Sequence, residues 1–283
     1  MLSATRSLQR SRQTGTPLPR IDALEDLYNG FFRLRLRGGE VTMIAGQSGS
    51  QKSGFALYIA SQLNLPTWYL SADMAQHTAS TRLVAALSGD TTETVSSGLS
   101  AGAEDYYSEY LDGNRVRFCF NPNPGSDDIA EEMSAWVEAW DSYPRLIVLD
   151  NLLDIIPSSG ADEYSGYKSV LLDAKTLART TGACVLILHH MSESTSDPFL
   201  PAAKKSLMGK VSQSPENVLS IAIGEDPSEF RVSVVKQRSG PSDASGRKYE
   251  RLRVFPERNQ FEKWSVPDPM KVAAATYWQK EVS

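Results

Sequence analysis

Residues 45–53 read AGQSGSQKS, one residue away from a phosphate-binding loop. The pattern G-x-x-x-x-G-K-[ST] takes Gly46 as its first glycine, leaves Gln47, Ser48, Gly49 and Ser50 free, and ends on Lys52 and Ser53. Gln51 stands where the second glycine belongs. VTMIA (residues 41–45) reads as a short buried strand before the loop, and residues 53–63 as a helix stopped by Asn64 and Pro66. A strand–loop–helix setting is what phosphate binding needs, because loop N–H groups and the helix N-terminus together stabilise anionic oxygens. Residues 46–53 are therefore expected to bind nucleotide. Lys52 would neutralise the outer phosphates and the Ser53 hydroxyl would ligate Mg2+.

Strands and helices alternate outward from the loop. TWYLS (67–71), RVRFCF (115–120), RLIVLD (145–150) and CVLILHH (184–190) read as strands. Helices are expected at 75–88, with Gly89 as C-cap, and at 164–181, with Gly182 past its end. Between them, 91–112 reads as helical pieces. Ile129, Met133, Trp136, Val137 and Trp140 fall on one helical face, with both tryptophans expected in the core. RVSVVKQR (231–238) and KYERLRVF (248–255) flank the turn SGPSDASG as antiparallel strands. The expected fold class is α/β, a mainly parallel central sheet flanked by helices with an antiparallel C-terminal extension. One domain, 21–264, is expected between a basic tail or inter-subunit linker (1–20) and a partly helical tail (265–283).

The chain has 283 residues, 41% of them hydrophobic, enough for one large core. A net charge of −5 argues against a protein coated in basic surface, but leaves room for a local nucleic-acid groove. Cys119 and Cys184 lie in apolar runs without metal spacing and read as buried thiols of a reducing, cytoplasmic compartment. No apolar run approaches a membrane span, so no membrane partner is expected. The first twenty residues hold no acid and are rich in Ser and Arg, a composition shared with transit peptides as well as with flexible tails.

In parallel α/β sheets, ligands bind beyond the carboxyl ends of the strands. Four polar elements occupy those ends here: the loop 46–53, Asp73, Asp150 and His190. An acid closing a buried strand, Asp150, would hold Mg2+ through water. Asp73 would orient and deprotonate an attacking water, or else simply cap the helix that follows. His190 would sense the terminal phosphate and signal to the next loop. His189 and His190 alternate onto opposite faces, which speaks against a shared metal.

The ordered set GQSGSQKS, SADM, LIVLDN, LILHH and VVKQRSGP resembles the RecA-type ATPase core of hexameric replicative helicases, DnaB and its RepA-like relatives, over about residues 20–262. The resemblance implies ATP and Mg2+ as ligands, a homo-oligomeric ring, six-membered by analogy, and single-stranded DNA as partner. A primase or other replication protein is a further implied partner. SADM stands where the family carries a catalytic glutamate, implying Asp73 as base, and His190 falls on the family's phosphate-sensing position. KQR implies that Lys236 and Arg238 reach a neighbouring subunit's ATP. Gln51 departs from the family's glycine, and its amide is expected to donate to a phosphate oxygen. Of the two segments matching the family's DNA loops, 154–166 is acidic, while 191–212 carries Lys204, Lys205 and Lys210 as candidate DNA contacts. Arg247, Lys248, Arg251 and Arg253 read as an exposed hairpin face. The implied function is an ATP-dependent DNA helicase or translocase. The alternative is a nucleotide-gated DNA-binding protein, such as a recombination mediator or helicase loader, and a phosphotransfer kinase ranks last.

Overall fold

The computed structural model describes residues 15–159, 162–191 and 197–265, together with Arg6. Its centre is β1, Val41–Gly46, buried along its whole length. Parallel neighbours flank it: β5 (Cys184–His190), with Gly46 opposite His190, and β6 (Asn217–Ile223), with Gly46 opposite Ile221. Beyond β5 lie β4 (Leu146–Asp150), β2 (Thr67–Ser71) and β3 (Val116–Cys119), all parallel. Beyond β6 come β7 (Glu229–Gln237), β8 (Glu250–Phe255) and β9 (Gln260–Lys263), all antiparallel. The sheet order is β3-β2-β4-β5-β1-β6-β7-β8-β9. β1, β2 and β4 show no alternation of burial, because helices cover both faces of a parallel sheet.

The helices are α1 (Glu25–Asn29), α2 (Lys52–Leu63), α3 (Gln76–Ser88), α4 (Thr92–Ser100), α5 (Glu104–Leu111), α6 (Ser126–Trp140) and α7 (Glu163–Thr181). One face packs Ile44, Leu186 and Leu188 against Phe55, Leu57 and Ile59 of α2. The other packs Met43, Ile147 and Ile187 against Met133 and Trp136 of α6 and Val170 and Leu171 of α7. Gly89 and Gly182 close α3 and α7 at positive φ, as expected from sequence.

The antiparallel extension is locked to α2 by an aromatic trio. Phe55, Phe230 and Phe261 meet with ring centroids 4.9–5.2 Å apart. These rings fix where the first turn of α2, and with it the loop, sits relative to β7–β9.

Several expectations need correction. Trp140 is 49% exposed; it stacks 4.3 Å from Trp136 at the last residue of α6, where the helix stops before it can bury both rings. Cys119 is only half-buried, because β3 is the edge strand, whereas Cys184 lies in the interior. Strands β6 and β9 were not anticipated. NVLSIAI of β6 is broken by Ser220, so neither a strand nor a helix period stands out. Residues 15–20 pack against the domain, with Leu18 buried and Pro17 bridging Arg37, so a tail boundary at residue 20 falls inside packed chain. The remainder of the expected tails, 1–14 apart from Arg6 and 266–283, lies outside the described residues.

Removing the central ring of the trio tests this linkage. Phe230→Ala should cost about 3–5 kcal/mol in urea unfolding. A loss below about 1 kcal/mol would mean the trio does not anchor the extension.

Candidate functional site

The loop leaves β1 at Gly46, where a Cβ would run into Ser50 Oγ and the Ile221 side chain. Ser50 Oγ donates to Gln47 O at 2.7 Å and closes the turn. Gly49 takes a positive φ with open space around it. Gln51 adopts φ 64°, ψ 28°, the left-handed conformation that suits glycine. Holding an L-residue there costs about 1–2 kcal/mol. The sequence compensates one turn later: a Cβ on Gly54 would come within 3.0 Å of Gln51 Oε1 and 2.7 Å of Asn259 Oδ1. The Gln51 amide thus lies back over the first turn of α2, in space that Gly54 leaves free. That placement does not favour the expected bond from the amide to a phosphate.

Lys52 is only 8% exposed, and its Nζ donates to Gly46 O at 3.1 Å and Gln47 O at 2.8 Å. Burial depresses its pKa to about 8, against the pull of Asp150 and Asp73. Ser53 Oγ donates to Asp150 Oδ1 at 3.1 Å, and the Tyr69 hydroxyl donates to Asp150 Oδ2 at 2.9 Å. Burial raises the Asp150 pKa to about 6, although both hydrogen bonds favour the carboxylate. A hydroxyl beside a carboxylate supplies the hard oxygen donors that Mg2+ prefers, so Ser53 and Asp150 fit the expected ion.

The ends of β2 and β4 are fastened together, with Ala72 N and Asp73 N donating to Asp150 O at 2.8 and 3.4 Å. The Asp73 side chain is exposed at this edge. It does not cap α3, whose N-cap is Ala75 with no side-chain bond, so the capping alternative is overturned. Its charge acts on Lys52, Asp150 and His190, which places it in their cluster. His190 is half-buried opposite Gly46; burial and Lys52 hold its pKa below the ordinary value.

Two residues of this site were missed in the sequence. Tyr69 reads as core in TWYLS, and only its hydroxyl near a strand end hinted otherwise. Asp154 follows Asp150 by one 3-10 turn; its Oδ2 is buried without a hydrogen-bond partner, and burial followed by Asp73 raises its pKa.

Lys236 and Arg238 are elsewhere. β7 runs back beside β6, with Gln237 opposite Asn217 and Asn217 opposite Thr42, so the pair sits towards the other end of the parallel strands, about 13 Å of strand from Gly46. Lys236 Nζ donates to Gln213 O at 2.9 Å and also to Pro215 O, and burial lowers its pKa to about 8. The Arg238 side chain is 52% exposed, with Nε 3.9 Å from Glu216 Oε1. Neither reaches its own chain's loop.

Lys204 and Lys205 lie in a short turn, Lys204–Ser206, held by Lys204 N donating to Ala244 O at 2.9 Å. They line an open cavity of about 700 Å3 together with Arg247, a proximity the sequence did not reveal. The Lys210 side chain and residues 192–196 lie outside the described residues. No described helix is long and apolar enough to cross a membrane.

A family model described as an AAA domain matches residues 5–196. The chain belongs to this AAA-domain family. The chain is 31% identical over 258 residues to the Gene 65 protein of Mycobacterium phage L5, covering 89% of this chain and 95% of that one. It is also 31% identical over 226 residues to the Gene 65 protein of Mycobacterium phage D29, covering 78% and 97%. Among solved structures, it matches a DnaB-like replicative helicase described with its primase interactions, at TM-score 0.73 and 14% identity, over 92% of this chain and 65% of that chain. A second solved structure, described as an ATPase domain, matches at TM-score 0.72 and 15% identity, over 92% of this chain and 96% of that one. The fold is thus RecA-like, and the chain spans 65% of the helicase's length.

Two measurements probe this site. With Asp150 needed as a carboxylate and Lys52 as an ammonium, kcat/KM for ATP should rise through pH 6 and fall through pH 8, with the acid limb surviving His190→Gln. A flat profile from pH 5 to 9 would exclude these two groups. Gln51→Gly should bind nucleotide at least as tightly as the parent, whereas Gln51→Val, β-branched at positive φ, should lose at least about 1–2 kcal/mol of stability. Equal behaviour of the two variants in thermal melts and nucleotide titrations would remove the left-handed constraint from the account.

Proposed function

We propose that this AAA domain is an ATP-driven motor that hydrolyses ATP between subunits of a ring and moves on single-stranded DNA. The observation that carries the reading is the division of charged groups between the two sheet edges. One edge gathers a loop, a hydroxyl, three carboxylates and an imidazole. The other exposes Arg238, loosely paired with Glu216 and out of reach of its own chain's loop.

Loop N–H groups and the start of α2 would bind the phosphates, with Lys52 turning from the carbonyls of Gly46 and Gln47 towards them. Ser53 and Asp150 would hold Mg2+, which when bound neutralises charge on the phosphate oxygens. Asp73, exposed at the edge, would orient a water and take its proton. His190 would face the terminal phosphate. Arg238 of a neighbouring subunit would stabilise the charge that develops, so turnover would depend on assembly. To join it, Lys236 must release both carbonyls it holds. Lys204, Lys205 and Lys210, joined by Arg247, would follow the phosphates of the strand. A hexamer, a cytoplasmic setting and a primase-type partner complete the reading.

The second reading, a nucleotide-gated DNA-binding protein with little turnover, is favoured by the exposure of Asp73, which leaves an attacking water unconfined. Steady-state ATP hydrolysis with and without single-stranded DNA separates the two, with Lys52→Ala as blank. The motor predicts at least about a ten-fold stimulation by DNA. Nucleotide binding with hydrolysis at the level of the blank would sink it and leave the gated binder.

A further inference from the structure

His189 and His190 are adjacent in sequence and face opposite sides of β5. His190 stands at the nucleotide edge. His189 is fully buried on the other face, where its Nε2 lies 2.9 Å from Met208 O. A carbonyl only accepts, so this ring carries its proton on Nε2, and Nδ1 is left buried without a hydrogen-bond partner. Burial pushes the ring's pKa down to about 4, so it stays neutral, and this bond is its one polar anchor among the described residues.

Met208 opens a 3-10 turn, Met208–Gln213. The exit of that turn is held just as firmly, because Lys236 Nζ donates to Gln213 O and Pro215 O. The turn is therefore clamped at its first residue by β5, next to His190, and at its last by β7, two residues before Arg238. Leu207 and Val211 pack with Val218 and Val235 on the sheet beneath. Ser220 and Ser233 share that face in register with His189 across Ala45, each buried with a hydroxyl that lacks a partner. The turn is thus held to the sheet by Leu207 and Val211, and the bonds from His189 and Lys236 fix its two ends.

We propose that Met208–Gln213 is a strap joining a subunit's own nucleotide edge to the edge that meets its neighbour, and that His189 is the positioning residue that ties it to β5. Displacement of His190 by a terminal phosphate passes through the shared backbone to His189 and on to the strap. The strap moves the lysine-bearing segment before it and the Lys236–Arg238 strand end after it. This inference rests on the motor reading for its consequence, but not for the tether itself.

The test compares the parent, His189→Leu and His189→Gln as full chains. ATP hydrolysis is measured with and without single-stranded DNA, and hydrogen–deuterium exchange is followed over residues 208–213. The Leu variant should keep DNA-independent hydrolysis near the parent level, lose about ten-fold in stimulation by DNA, and exchange faster across the strap. The Gln variant keeps an N–H donor and should restore both properties. Parent-like exchange and stimulation in the Leu variant, or a Gln variant no better than Leu, would overturn the strap. If the parent shows no stimulation at all, the motor reading fails instead. The exchange comparison then decides the tether alone: slower exchange in Gln than in Leu upholds it, and equal exchange removes it.

Discussion

A carboxylate buried at the end of a central strand governs the arrangement of this molecule. Asp150 is held from two sides by the hydroxyls of Ser53 and Tyr69. Its backbone carbonyl accepts from the turn that presents Asp73. One residue thereby fixes the start of α2, the end of β2 and the position of a candidate catalytic acid. Burial raises its pKa to about 6, above the ordinary carboxylate value. Its proton therefore stabilises the fold at low pH, and that contribution is lost as pH rises through 6. A divalent ion held there would add to the positive charge of Lys52, and so binding and stability would be linked at this atom.

The departure at Gln51 illustrates how a loop can keep its shape without its usual residue. What the loop needs at this position is a left-handed backbone, and the structure provides it with glutamine in place. The cost falls on strain, and the side chain is accommodated by the glycine three residues later. AGQSGSQKSG therefore keeps a glycine close to the pattern's position but uses it for space and not for φ.

Much of this was legible in the sequence because it rests on local signals. An apolar run ending in Asp150 or in His189 and His190, and a glycine turn between a strand and a helix, each mark a strand end, and the strand ends make the site. What escaped depends on distances between remote segments or on conformations no residue name specifies. Tyr69 looks like core until its hydroxyl is found on Asp150. Arg247 joins Lys204 and Lys205 only because the β7–β8 turn folds beside them. Ser220 broke the apolar pattern that would have announced β6, yet it lies in register with Ser233 and His189 across the sheet. Asp73 could be read as a helix cap or as a catalytic acid, and only the position of Ala75 at the N-cap decided against the first.

In the proposed motor, hydrolysis takes groups from two subunits. Mixing two inactive variants tests it most directly: Asp150→Asn, which keeps Arg238, and Arg238→Ala, which keeps the loop and its carboxylates. Each alone should be inactive while still assembling. The mixture should recover ATP hydrolysis, because some interfaces then pair an intact Asp150 with an intact Arg238. A mixture no more active than its parts, or an Arg238→Ala protein that hydrolyses ATP like the parent, would contradict a shared site.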